Sequence, residues 1–138
     1  MQTIDKIQQE IIDEFNMFED WMQKYEYIID MGKDLAPIEQ KYKLEKNLIR
    51  GCQSRVWLHA EIKNNLLFFY GDSDAIMTKG IVALLLRVLS EQSPEDIINS
   101  KLDFLDKIGL KDQLSATRAN GLASMVKQMK IYALAYNN

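Results

Sequence analysis

The sequence predicts an α+β domain in which helices pack on a small antiparallel sheet, and three observations predict it. Apolar residues near both ends recur at three- and four-residue steps, the period of an amphipathic helix. Between Val56 and Tyr70 the period drops to two on either side of a short polar turn. The order is helices, then a hairpin, then helices again, which segregates the helices onto a sheet.

The elements follow in order. Ile4, Ile7, Ile11, Phe15 and Phe18 share one helical face over residues 3–18, with Thr3 as N-cap. A second helix is predicted from about Asp20 to Met31, burying Trp21, Tyr25, Ile28 and Ile29. Gly32 suits the position just past its end, and Pro37 discourages continuation. Residues 38–54 lack a clean period and read as loop, with one short strand around Asn47 to Gly51. Val56, Leu58, Ala60 and Ile62 then alternate with Trp57, His59 and Glu61, and Leu66 to Tyr70 returns after Lys63-Asn64-Asn65. Asparagines tolerate the positive φ that a tight hairpin needs. Gly71-Asp72-Ser73-Asp74 ends that strand and opens a helix over about 74–89, with Asp72 or Ser73 as its cap; this helix is apolar nearly all round and is the expected core. Ser93-Pro94-Glu95-Asp96 starts another helix. Residues 101–114 form a connector with Gly109 at a turn. Ser115 or Thr117 begins a last helix facing inward with Leu122, Met125, Val126, Met129 and Tyr136. With no repeat or linker, residues 1–138 read as a single domain.

Composition narrows the function. At 138 residues, 47% hydrophobic and 27% charged, the chain can bury a sizeable core without disulfides. A net charge of −3 with scattered lysines and arginines argues against a nucleic-acid partner. Ile81 to Leu86 is far too short to span a bilayer, and no secretory leader is visible at Met1 to Asp5, so no membrane role is expected. One cysteine allows no internal disulfide, which fits a reducing, cytoplasmic setting.

That cysteine is the first candidate for chemistry. A lone cysteine is often a small buried hydrophobe. Cys52, however, lies in Arg50-Gly51-Cys52-Gln53-Ser54-Arg55, a polar segment before a strand. Gly51 lets the backbone bend or approach closely. Arg50 and Arg55 can favour the thiolate, which is the reactive form.

Four strings then point to one family. Gly51-Cys52-Gln53-Ser54 with Val56-Trp57 resembles the signature around the acceptor cysteine of the SufE family. Gly71-Asp72-Ser73-Asp74-Ala75 with Lys79-Gly80 is similar to its second signature, and Arg118, Gly121-Leu122 and Met125 to its third. Trp21, Tyr25, Tyr27-Ile28-Ile29, Gly32-Lys33 and Leu35 fit its early stretch. The likeness runs from about residue 10 to 132. Asn64-Asn65 stands where Asp-Gly is more usual, and Ala116 where proline is common; both are turn or helix-start positions.

The resemblance implies the fold of the iron–sulfur scaffold proteins and partnership with a pyridoxal-phosphate cysteine desulfurase of the SufS type. Cys52 is then the persulfide acceptor, with no cofactor or metal of its own, and sulfur passes on to an iron–sulfur scaffold complex. Gly51, Gln53, Ser54, Arg55, Asp72, Asp74 and Arg118 are the expected supporting or partner-contact residues. A persulfide is easily lost to reductants, so Cys52 is expected on a mobile or sheltered loop that presents itself on docking.

Other residues have plainer readings. His59, the lone histidine, lies opposite the apolar face of its strand, and with Glu61 it lacks the further ligands of a zinc site. Asp72 and Asp74 suit capping. Arg118 begins a helix where the dipole disfavours its charge, so a specific contact is expected. Three functions compete: a sulfur acceptor and desulfurase activator, acting either through Cys52 or as an allosteric binding module; an iron–sulfur scaffold, which would normally supply several thiolates; and a thiol enzyme, for which only His59 offers an imidazole base.

Overall fold

β1 (Val56–Lys63) and β2 (Leu66–Ser73) pair antiparallel, from Val56 opposite Ser73 to Lys63 opposite Leu66. Asn64 and Asn65 turn the hairpin at φ 52° and 65°, the left-handed pair that a two-residue type I′ loop requires. Strand alternation puts Val56, Leu58, Ala60, Leu67 and Phe69 into the core, while Trp57, His59, Glu61, Tyr70 and Asp72 share the other face. Among the residues that the computed structural model describes, 2–137, this is the whole sheet.

Seven helices surround it among the described residues: α1 (Ile4–Phe15), α2 (Trp21–Lys33), α3 (Ile76–Leu89), α4 (Pro94–Asn99), α5 (Phe104–Lys107), α6 (Leu110–Gln113) and α7 (Ala116–Tyr136). The chain is therefore mostly helical, with one hairpin. α3 is the core helix, and its Met77, Ile81, Val82, Leu84, Leu85, Val88 and Leu89 are all buried. Thr3, Asp20, Ser93 and Ser115 cap α1, α2, α4 and α7, each accepting a backbone N–H with its side chain.

Several expectations are corrected. Gly32 does not end α2 but lies within it, at the crossing with α3. A Cβ there would sit 2.7 Å from the Gly80 nitrogen, and one on Gly80 would collide with the Ile28 carbonyl. The paired glycines let two backbones touch. Of the four side chains expected on the buried face of α2, Ile28 alone is fully buried; Trp21, Tyr25 and Ile29 pack at its margin. The strand expected around Asn47 to Gly51 is a single bridge, Leu48 to Trp57, after a 3-10 turn at Glu45–Asn47. The positive φ of Gly51, 89°, swings the chain off the sheet edge before a ladder can form. Neither Asp72 nor Ser73 caps α3: β2 runs through both residues and the helix starts at Ile76. Tyr136 is 36% exposed and does not belong to the buried face of α7.

Two polar ties fix the periphery. Arg87 on α3 pairs with both carboxylate oxygens of Glu14 on α1, the Nη1 contact being 2.8 Å, and the Tyr27 hydroxyl donates to the same carboxylate. Buried Gln8 donates to the Lys101 carbonyl and accepts from the Phe104 amide, holding the connector against α1.

Candidate functional site

The Cys52 loop is held at both ends. Before it, the Ile49 amide donates to the Val56 carbonyl at 2.9 Å, so the chain leaves and rejoins β1 within a few residues. After it, the junction of β2 and α3 clamps Arg55. The Arg55 amide donates to the Asp74 carboxylate at 3.0 Å, and the Ser73 hydroxyl donates to the Arg55 carbonyl at 2.8 Å. Between these anchors the loop rests on α7. A Cβ on Gly51 would lie 2.8 Å from the Ser124 hydroxyl, which can turn aside, so it is the left-handed φ that calls for glycine.

Cys52 is half-buried against the second turn of α7. Its thiol donates to the Gly121 carbonyl with sulfur and oxygen 3.6 Å apart. A Cβ on Gly121 would stand 3.3 Å from the sulfur, so the bare glycine is the seat of the thiol. Beside it opens a cavity of about 310 Å³. The loop contributes Cys52, Gln53 and Ser54, α3 contributes Thr78 and Ile81, and α7 contributes Thr117, Arg118, Gly121 and Met125.

Burial pushes the Cys52 thiol above its ordinary pKa. The expectation that Arg50 and Arg55 draw out the thiolate is corrected, because both side chains are exposed and burial is the resolved influence. The Gly121 carbonyl acts in the same direction, since it accepts from S–H and repels a thiolate. The resting state is a protonated, partly shielded thiol.

The expected site residues divide accordingly. Gln53, Ser54 and Arg118 gather with Cys52, while Gly51, Arg55 and Asp74 shape the loop. Asp72 does not join them. On the outer sheet face it accepts from Lys43 at 2.9 Å and pairs with Lys79 at 3.4 Å, while Lys43 lies over the Trp57 ring. Burial opposes ionisation of Asp72, but Lys43, the Ser73 amide and Lys79 outweigh it and hold the carboxyl below its ordinary range. His59 also lies on that outer face, stacked on Tyr42 at 3.7 Å and bonded to Glu61. It does not line the Cys52 cavity. Thr78, Ile81, Thr117 and Ser124 were not foreseen. Thr78, a polar residue on a helix apolar nearly all round, carried the one sequence signal among them. Among the described residues no three His, Cys, Asp or Glu side chains gather as a metal site, and no helix is long and apolar enough to cross a membrane.

Comparison with known proteins bears on the family and the fold. The family profile described as "SufE: Fe-S metabolism associated domain" matches residues 9–133. An uncharacterized SufE-like protein of Rhizobium meliloti is 39% identical over 126 residues, covering 88% of this chain and 90% of that one. One from Synechocystis is 34% identical, covering 91% and 79%. SufE-like protein 1 of Arabidopsis thaliana, described as chloroplastic/mitochondrial, is 37% identical over 91% of this chain and 34% of its own length. The solution structure of a hypothetical protein from Thermus thermophilus superposes with a TM-score of 0.78 over 94% of this chain and 95% of that one, at 17% identity, a likeness of fold.

Proposed function

The chain belongs to the SufE family, and from that membership we propose that it accepts sulfur from a cysteine desulfurase onto Cys52 and passes it on during iron–sulfur cluster assembly. The observation that carries the proposal is the placement of Cys52: the chain's one thiol, on a loop clamped at both ends, lining a cavity.

The chemistry is an exchange at sulfur. The Cys52 thiol gives up its proton to solvent water, and the thiolate attacks the outer sulfur of the desulfurase persulfide. A bond forms between that sulfur and Cys52 while the bond to the enzyme breaks, and the enzyme's thiolate leaves. Cys52 now carries the persulfide. The number of S–S bonds is conserved, so no oxidant or reductant is needed. Pyridoxal phosphate and cysteine desulfuration belong to the partner, of SufS type. This chain is an accessory carrier working in the cytoplasm, and a scaffold complex receives the sulfur. Because the resting thiol is protonated and tied to Gly121, docking must free it. The cavity beside it, lined in part by Thr78, Thr117 and Arg118, is where the outer sulfur would be received.

The test is desulfurase activity with the native chain, with Cys52→Ser and with neither, followed by mass analysis. Stimulation by the native chain alone, with a sulfur-mass adduct on Cys52, is the expected result. Equal stimulation by both forms would replace the acceptor by an allosteric binding module.

A further inference from the structure

A second surface of α7 stands open. A groove of about 950 Å³ runs along the helix from Ala119 to Leu134, walled on its other side by the 100–106 segment. Its floor is apolar, built from Leu102, Leu105, Leu122 and Val126. Towards its end Ile131 and Leu134 are 44% and 61% exposed. On the helix itself Val126, Ile131 and Leu134 form the open stripe, whereas Leu122, like Met125, Met129 and Ala133, is buried in the core. Lys101, Lys111, Lys127 and Lys130 stand along the groove, against two acids, Asp103 and Asp106. Lys111 pairs with Asp106 at 3.5 Å, and Lys130 donates to the Ser100 carbonyl at 2.8 Å. Lys101 and Lys127 form no ion pair among the described residues. On a chain of net charge −3, a greasy groove flanked by excess lysine is a local reversal of sign.

We propose that this groove docks an acidic amphipathic helix of a partner protein. The stripe from Ala119 to Leu134 is about 22 Å long at 1.5 Å per residue, the length of about four helical turns. A two-walled apolar groove receives the apolar face of a helix, and carboxylates flanking that face meet the lysines. A second copy of this chain is a poor occupant, because its acidic helix, α1, already spends Ile4, Ile11 and Phe15 on its own core. An anionic bilayer is disfavoured by the concave shape and by the negative net charge. The groove and the Cys52 cavity use neighbouring stripes of one helix, Leu122 and Val126 against Gly121 and Met125. A helix seated there belongs to a protein that exchanges sulfur with Cys52; that last identification rests on the proposed function, whereas the docking does not.

The test titrates the full chain against a fluorescent synthetic peptide about four helical turns long, with leucines at three- and four-residue steps flanked by glutamates. A twin peptide carries lysine in place of glutamate. The acidic peptide is expected to bind at least about tenfold tighter than its twin, a gap of about 1.4 kcal/mol. The double variant Ile131→Ser/Leu134→Ser, both sites exposed, should lose most of that binding with an unchanged thermal melt, and Lys101→Glu/Lys127→Glu should do the same. Absent binding, equal binding of the twins, or binding indifferent to both double variants overturns the proposal. So does a concentration-dependent dimer, or adsorption to phosphatidylglycerol vesicles without peptide binding, if the same variants abolish it. Cys52→Ser should bind the peptide as the native chain does, so failure of the docking and failure of the sulfur-acceptor reading are seen separately.

Discussion

The Cys52 thiol points its hydrogen at the Gly121 carbonyl, and the hydrogen that Gly121 carries in place of a side chain is what leaves room for the sulfur. One glycine thus supplies both the acceptor that holds the resting thiol and the space in which it rests. Loop and helix are separated by 69 residues in sequence, yet this contact brings them together at the sulfur.

Gly121→Ala tests that relation. The new methyl would stand 3.3 Å from the sulfur, too close for an easy fit, and the loop is the part free to yield. Alanine gains up to about 1 kcal/mol of helix propensity over glycine, so overall stability should change little. Alkylation of Cys52 by a bulky thiol reagent should quicken several-fold. An unchanged rate would show that the contact does not restrain the thiol.

The pH profile of alkylation is the second check. Burial raises the Cys52 pKa, so the midpoint for the native chain should lie above that of the urea-unfolded chain. The sign for stability follows. The neutral thiol is the form the fold accommodates, so its contribution is complete below the unfolded pKa and is lost as pH rises through the folded one. A native midpoint at or below the unfolded one would restore a thiolate drawn out by Arg50 and Arg55.

How far the sequence reaches is visible in these residues. The hairpin and the caps at Thr3, Ser93 and Ser115 were legible because each depends on residues a few positions apart: strand alternation, a two-residue turn, a side chain reaching its own helix. Cys52 and its neighbours Gln53 and Ser54 stood out as a polar segment, and Arg118 as a charge at the wrong end of a helix. What failed was non-local. Gly32 resembles a helix stop in sequence, but its purpose is Gly80, far along the chain. Asp72 resembles a cap, but its partners are Lys43 in the segment before the hairpin and Lys79 on α3. The arginines flanking Cys52 suggested an activated thiolate, yet its protonation answers to a helix that packs against it only in the folded chain.

Asp72 supplies a prediction that separates structure from chemistry. Asp72→Asn removes the charge that Lys43 and Lys79 share, loosening the tie between the 38–54 segment and the sheet. A loss of about 1 kcal/mol in urea unfolding is expected for so modestly exposed a pair. Sulfur loading of Cys52 by the desulfurase should stay within about twofold, the scale of a sub-kcal effect. A loading defect with stability intact would place Asp72 in the docking surface instead.

The helix crossing should be the least tolerant point of the fold. At Gly80 a methyl gains helix propensity but meets the Ile28 carbonyl, a backbone atom that cannot rotate away. Overpacking of this kind costs about 1–3 kcal/mol, more than the gain of about 1. Gly80→Ala should therefore destabilise, and Gly32→Ala likewise, its methyl being 2.7 Å from the Gly80 nitrogen. A Gly80→Ala chain that melts at or above the native temperature would mean the helices separate freely.

Acid unfolding should begin at the tie between α1 and α3. Hydrogen bonds from Arg87 hold the Glu14 carboxyl below its ordinary value of 4.5, against the opposing effect of burial and with help from the Tyr27 hydroxyl. A depressed carboxyl contributes stability that is complete above its unfolded pKa and is lost as pH falls through its folded one. Native stability should therefore decline below about pH 4.5. Glu14→Gln should be less stable at neutral pH by about 1–3 kcal/mol, because it strands the part-buried guanidinium that both carboxylate oxygens now meet. It should also lose less on acidification, because glutamine has no proton to gain. Parallel pH-stability curves for the native chain and the variant would assign the acid sensitivity to other carboxylates.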